Sequence, residues 1–327
     1  MYTRTKRTVS VLMITYNHEK FIAQAIESVL MQQADFHYEL VIGEDCSTDR
    51  TRKIVSDCQR RHPDKIRLLL NKKNLGMIHN FVKTLQNCDG KYIALLEGDD
   101  YWTDPLKLQK QVNFLDNNPE FVICFHRTDF LDQESGKIIH GGLGPPISKP
   151  YYTVDDLFQH CNFMPTCSVV FKNNLFSTFP DWYYEVGVGD FPLHILNASH
   201  GEIGFIDESM TVYRKHPGGL YGGQNLLENC ERRVQMYLLL GDKLSLNKRV
   251  SYHLGVLNQT VNLCRAYWEA GNGVNAIPFA FKAFFAGFKA LIYASYNRKV
   301  QTLRQLCIIL TPNILKKIIH SMTSHSG

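Results

Sequence analysis

Short apolar runs alternate with helix-period segments through the first hundred residues. Residues 9–14 (VSVLMI) form an apolar run that stops at Thr15, Tyr16, Asn17 and His18. The next apolar positions, Phe21, Ile22, Ala25, Ile26, Val29 and Leu30, recur at spacings of three and four, which predicts an amphipathic helix. A second run at 38–43 ends in Glu44, Asp45, Cys46, Ser47, Thr48 and Asp49. Its last three residues are good N-caps for a helix beginning near Arg50. A third run, 66–70, leads through a turn at 71–76 into a helix that reaches about Leu85, and a fourth, 92–96, again closes in acidic residues. Such alternation predicts an α/β domain with a mainly parallel sheet. All four strands end in polar residues, on the rim where open parallel sheets place ligands.

Beyond Trp102 the pattern loosens. A helix is expected over 106–115, strands over 121–125 and 168–171, and a Gly- and Pro-rich loop over 141–150. From about Leu226 the pattern is helical, with stretches at 246–270 and 276–296 divided by Gly271, Asn272 and Gly273. These features set a boundary near residue 225, between a front domain (1–225) and a helical C-terminal region (226–327). With 327 residues, 44% of them hydrophobic, the chain is too apolar for a disordered or collagenous protein. Nine cysteines without a C-x-x-C pair disfavour zinc ribbons, redox motifs and a disulfide framework, and suit buried thiols in a reducing cytosol. Arg4, Lys6 and Arg7 precede the first apolar run, but that run is too short for a secretory core, so a cytoplasmic protein is expected.

The acidic residues carry the chemistry. In Leu95-Leu96-Glu97-Gly98-Asp99-Asp100-Tyr101-Trp102, three carboxylates in four residues repel one another unless a cation compensates. Hard ions such as Mg²⁺ or Mn²⁺ suit such oxygens; a solvated acidic turn before the next helix is the other reading. The turn from Glu44 to Thr51 offers either Asx-turn and capping chemistry or a carboxylate that accepts a proton from a base N–H. Thr15, Tyr16 and Asn17 offer hydroxyl and backbone groups beside a nucleotide.

Taken in order, the first strand, Glu27-Ser-Val-Leu-x-Gln32, Asp45-x-Ser47-x-Asp49, Asn74-x-Gly76 and Glu97-x-Asp99-Asp100 resemble family 2 glycosyltransferases of the GT-A fold, over roughly residues 8–220. The resemblance implies that Thr15, Asn17, Asp45 and Glu44 hold the nucleobase and ribose of a donor. It implies that the DxD-like turn binds Mg²⁺ or Mn²⁺ on the diphosphate, with Asp99 as a metal ligand. Glu97 replaces the usual Asp, so Glu97 or Asp100 would meet the ribose. Residues 186–193 (VGVGDFPL) resemble the segment that supplies the catalytic base, here Asp190. Residues 213–219 (YRKHPGG) resemble a late loop in which His216 would bind metal or phosphate and Arg214, with Lys215, would meet the leaving group. Residues 162–168 (NFMPTCS) resemble a motif of the subgroup bearing EGDDYW. Trp102, Phe163 and Trp182 are candidates either to stack on an acceptor sugar or to fill the core.

The implied reaction is metal-dependent, inverting transfer of a sugar from a nucleotide-sugar, most often UDP-linked, to a saccharide or lipid-linked hydroxyl in cell-surface polysaccharide synthesis. Nucleotidyl transfer would call for a Gly-rich basic loop after the first strand, which residues 15–20 lack; a dehydrogenase would call for G-x-G-x-x-G. A sugar-nucleotide-binding protein without turnover would have little use for Asp99 and Asp190.

Net charge is +5 (36 Lys+Arg against 31 Asp+Glu), but from Ala276 onward there are seven Lys/Arg and no Asp or Glu, leaving the front at −2. The 19 residues 276–294 (AIPFAFKAFFAGFKALIYA) approach a bilayer span in length. Lys282 and Lys289 share one helical face, which favours a helix lying in an interface, and the later basic residues favour anionic lipid. A helical appendage packed on the enzyme is the other reading. A partner surface at the inner face of a cell membrane stays open beside that packing and beside a true span, and nucleic acid is not expected.

Overall fold

The computed structural model describes residues 8–145, 149–219 and 226–293. They fall into two compact units: residues up to Val154 together with 162–219, and residues 155–161 together with 226–293.

In the first unit, β1 (Val9–Thr15), α1 (Ile22–Leu30), β2 (Tyr38–Glu44), α2 (Thr51–Arg61), β3 (Ile66–Leu70), α3 (Met77–Leu85) and β4 (Tyr92–Glu97) follow the alternation read from the sequence. The four strands pair in parallel in the order β3-β2-β1-β4. Strands covered on both faces read as continuous apolar runs, and Val11, Met13, Leu40, Ile42, Ala94 and Leu96 are buried with Ile22, Ile26 and Val29 of α1. Register fixes the rim: Thr15 lies opposite Glu44, and Ile14 opposite Glu97.

After β4 come β5 (Tyr101–Trp102), α4 (Lys107–Asn117), β6 (Phe121–Asp132), β7 (Ile138–Leu143), α5 (Val154–His160), β8 (Val170–Lys172), α6 (Asp190–Ala198) and β9 (Glu202–Lys215). The sheet continues β4-β8-β6-β9-β5, with β7 on β6. Here antiparallel pairs join a sheet whose pairing is otherwise parallel, as expected. β8 runs antiparallel to both β4 and β6, and β5 antiparallel to β9, so the sheet is mixed. β7 occupies the front of the expected loop at 141–150. The pairing of Tyr101 with Val212 brings the end of β9 beside the acidic turn.

Behind that turn, Lys107 is fully buried. Its Nζ donates to Gln111 Oε1 (2.7 Å) and lies 4.1 Å from the centre of the Trp102 ring. Burial pushes the ammonium down to about 7 from its ordinary 10.5. The unfolded chain therefore holds this proton more tightly, which costs the fold most below pH 7 and least above pH 10. The parent protein should gain stability relative to Lys107→Met as pH rises from 7 to 9, by at most about 1.4 kcal/mol per pH unit. Denaturant titrations at several pH values measure the difference; parallel profiles for the two proteins would show that Lys107 does not titrate in this range.

The second unit comprises α5, α7 (Leu226–Lys243), α8 (Val250–Glu269) and α9 (Ile277–Tyr293). A Cβ on Gly255 would sit 2.0 Å from the carbonyl oxygen of Phe158, so only glycine lets α8 pass this close to α5. Residues 294–296 of the expected last helix, and the basic residues from Arg298 to Lys317, lie outside the described residues.

Candidate active site

The turn after β1 is fastened to the turn after β2. The backbone N–H groups of Asn17, His18 and Glu19 donate to Ser47 Oγ (3.0 Å), Thr51 Oγ1 (2.8 Å) and Asp49 Oδ2 (3.0 Å). Asn17 Oδ1 accepts from the Thr48 N–H at 2.9 Å, and its φ of +57° is a left-handed conformation that Asn tolerates. Asp49 also accepts from the Thr51 N–H (2.9 Å), an Asx-type bond two residues on, while the N-cap position of α2 falls on Arg50 with no side-chain cap, not on Ser47, Thr48 or Asp49.

The carboxylates of this region point inward. Glu44 is wholly buried, accepting from the Ser47 N–H (2.6 Å) and from Arg52 Nε (2.5 Å). That corrects its assignment to a nucleobase: with no exposed surface and an arginine partner, it fastens the loop. Asp45 accepts from Asn71 Nδ2 (2.9 Å) and from the N–H groups of Leu75 (2.8 Å) and Gly76 (2.9 Å). A carboxylate has about four acceptor positions, so about one remains for a ligand.

The acidic turn presses against the β1 turn. A Cβ on Gly98 would come within 2.7 Å of Thr15 Oγ1 and 2.9 Å of His18 Nδ1, two buried atoms without hydrogen-bond partners. Glu97, Asp99 and Asp100 each bring an oxygen within 4.8 Å of the others. Burial, then the neighbouring negative charges, push Glu97 and Asp100 well above the usual carboxylate range. For Asp99 burial also acts upward, but the hydrogen bond from His216 and the charges of His18 and His216 outweigh it and hold the group below its ordinary value. Asp100 Oδ1 accepts from the Arg214 N–H (2.9 Å), while its buried Oδ2 has no partner. Three converging hard oxygens, one of them orphaned, in a cluster starved of positive charge fit Mg²⁺ or Mn²⁺.

His216 Nε2 lies 3.1 Å from Asp99 Oδ2, and His18 Nε2 lies 3.7 Å from the same oxygen. His18 escaped sequence reasoning; its place in the turn after β1, on the same rim, is the signal that could have found it. Arg214 meets the cluster through its main chain. Its guanidinium stacks over Tyr101 (4.4 Å) and Phe21 (5.2 Å) and donates to Gln24 and Gln133, not toward the carboxylates.

Asp190 opens α6. Its Oδ1 accepts from the Phe191 N–H (2.8 Å), and its Oδ2 accepts from Asn162 Nδ2 (2.6 Å) and Thr166 Oγ1 (3.3 Å). Its charge helps raise Glu97, which ties Asp190 electrostatically to the acidic turn. Asn162 and Thr166 belong to the 162–168 motif, but their partner was not legible there. One turn along α6, His194 is fully buried with neither ring nitrogen partnered, and burial drives it down to about 4.

The three aromatic candidates lie inside. Trp102 is 1% exposed, donates from Nε1 to the Cys167 carbonyl (3.0 Å) and carries Lys107 over its ring, so its assignment to an acceptor sugar is corrected. Phe163 packs on Phe125 and Tyr152, and Trp182 is buried beside Tyr183.

Residues 10–176 match the glycosyl transferase family 2 domain. An uncharacterized protein of Mycobacterium tuberculosis, Rv1520, is 38% identical over 214 residues, covering 65% of this chain and 60% of that protein's length. Among solved structures, TarS 1–349 of S. aureus, in complex with UDP-GlcNAc, superposes with a TM-score of 0.61 at 17% identity, covering 91% of this chain and 92% of that one. The mannosyltransferase PcManGT of Pyrobaculum calidifontis, in complex with GDP-Man and Mn²⁺, gives 0.55 at 18% identity, covering 96% and 84%. The fold is thus that of the GT-A glycosyltransferases. Because the matched segment runs from β1 through the acidic turn to β8, the chain belongs to glycosyl transferase family 2.

Proposed function

We propose that this chain is a metal-dependent, inverting glycosyltransferase. It moves a sugar from a nucleoside diphosphate sugar, UDP-linked by preference, to a hydroxyl of a saccharide or lipid-linked acceptor during cell-surface polysaccharide synthesis. Its place is the cytoplasm, peripheral to the inner face of the membrane. Residues 1–225 carry the transfer and 226–327 the helical appendage. The observation that carries this reading is a positioned carboxylate, Asp190, within electrostatic reach of a cluster of three carboxylates that fits a divalent cation.

Glu97, Asp99 and Asp100 would hold the ion, with His216 and His18 steadying Asp99. Mg²⁺ or Mn²⁺ in that place supplies positive charge to the departing diphosphate. Thr15, Asn17 and the remaining lone pair of Asp45 line the rim where the nucleoside would lie. Asn162 and Thr166 aim Asp190, which takes the proton of the acceptor hydroxyl as that oxygen bonds to the anomeric carbon. The bond from that carbon to the phosphate oxygen breaks, and the nucleoside diphosphate leaves with the bonding pair. Attack from the face opposite the leaving group inverts the centre. The donors held by TarS and PcManGT, UDP-GlcNAc and GDP-Man, support a nucleoside diphosphate sugar as the substrate class.

Thermal melts with UDP-, GDP- and dTDP-sugars, with and without Mn²⁺, test the donor. One nucleotide class should stabilise the protein only when metal is present, by about 2.7 kcal/mol at a hundred times its Kd. Slow, metal-dependent release of nucleoside diphosphate without acceptor should accompany it. Equal shifts in EDTA would remove the metal from this reading.

A further inference from the structure

Helix α9 is inside out for a helix of a water-soluble unit. Its buried positions are Ala283, Ala286, Gly287 and Ala290, small residues on the side packed against α8. Five of its large apolar residues point away, while Phe279 packs on Tyr267. Phe281 is 61% exposed, Phe285 59%, Ile292 57% and Phe288 53%, with Phe284 beside them. At about 100° per residue these five fall within an arc of about 100°, opposite the small-residue face. Ordinary amphipathic packing would place the phenylalanines on α8 and the alanines outside.

Residues 273–293 are long and apolar enough to cross a bilayer. A span would strip α9 from α8 and expose the small-residue face, whereas lying flat keeps that face covered and uses the aromatic one. Lys282 and Lys289 stand together on one flank of the aromatic arc. In the sequence, the chain from residue 276 to its end has seven Lys/Arg and no Asp or Glu, so its charge is of one sign. An aromatic stripe edged by lysines complements an anionic bilayer surface, with rings at the acyl boundary and ammonium groups at the headgroups.

We infer that α9 docks flat on an anionic lipid bilayer through Phe281, Phe284, Phe285, Phe288 and Ile292, with Lys282 and Lys289 meeting acidic headgroups. This deepens the reading of a lipid-linked acceptor, on which it rests for its purpose. The binding test does not depend on turnover, so the two can fail separately.

Flotation of the full chain should recover it with vesicles of phosphatidylcholine mixed with phosphatidylglycerol, and about tenfold less with phosphatidylcholine alone. The triple variant Phe281→Ser, Phe285→Ser, Phe288→Ser should lose about tenfold or more of the anionic binding. Lys282→Glu with Lys289→Glu should lose about as much. All five positions are substituted on exposed faces, so circular dichroism and melting should stay as in the parent. Should the triple variant misfold, Phe285→Trp gives a second reading, since its emission should shift to the blue with anionic vesicles relative to the parent. No flotation of the parent would overturn the inference, as would undiminished flotation of the triple variant or an unmoved Trp emission. Conversion of a parent dimer to a monomer by the triple variant, with vesicle recovery unchanged, would assign the face to a second copy of the chain instead.

Discussion

Asp190→Asn should lower sugar transfer by about 10²–10⁴-fold while leaving donor and metal affinity within about twofold. The substitution keeps the shape of the side chain and its Oδ1, which accepts from the Phe191 N–H. It removes the one property the reaction needs, a lone pair basic enough to take the acceptor proton. The local cost is small. Asn162 Nδ2 would face the new amide, and the Asn162 amide can turn to present its oxygen at the expense of the longer bond, 3.2 Å, from the Met164 N–H. Transfer kinetics with a saturating donor, set against donor binding by calorimetry, separate the two effects. A variant that binds donor and transfers at the parental rate would end the assignment of Asp190 as base. A loss of both together would make Asp190 a structural cap of α6.

What could be read in advance follows from how each feature is encoded. β1 to β4 were legible because strands buried on both faces leave unbroken apolar runs, and the intervening helices leave spacings of three and four. β9 was not legible, since Asp207, Glu208 and Ser209 are exposed in its middle and interrupt the run, although the strand spans fourteen residues. In the site, Asp99 and Asp190 stand in local motifs that a reader of sequence can see. Glu44 and Trp102 have the same residue types as ligands, and their partners set them apart, Arg52 for the one and the Cys167 carbonyl with Lys107 for the other; such pairings are a property of the assembled sheet. The pairs of His18 and His216 with Asp99 join residues far apart in the chain through the pairing of β1 with β4 and of β5 with β9, while Asn162, in the loop after α5, meets Asp190 at the start of α6. No local pattern announces them.

Asp99→Asn should weaken Mn²⁺ binding by at least about 10–100-fold, the loss that follows even from removing an outer partner of a metal ligand. Of the three clustered carboxylates, Asp99 is the one held below its ordinary value, because His216 and His18 offset its burial. Glu97 and Asp100 are both pushed upward, so neither attracts a cation as strongly before metal arrives. With the charge of Asp99 gone, repulsion on those two relaxes and part of the lost attraction returns, which sets the lower end of the range. Without metal the lowered carboxyl still matters: charged Asp99, paired with His216 and His18, stabilises the fold at neutral pH, so Asp99→Asn should melt below the parent in EDTA. Added Mn²⁺ should widen that gap, stabilising the parent and leaving the variant nearly unmoved. The widening separates a metal ligand from a merely structural aspartate, whose removal would lower both melting temperatures by the same amount in either condition. If Mn²⁺ raises the melting temperature of both proteins equally, Asp99 does not hold the ion and the acidic turn is a solvated cap.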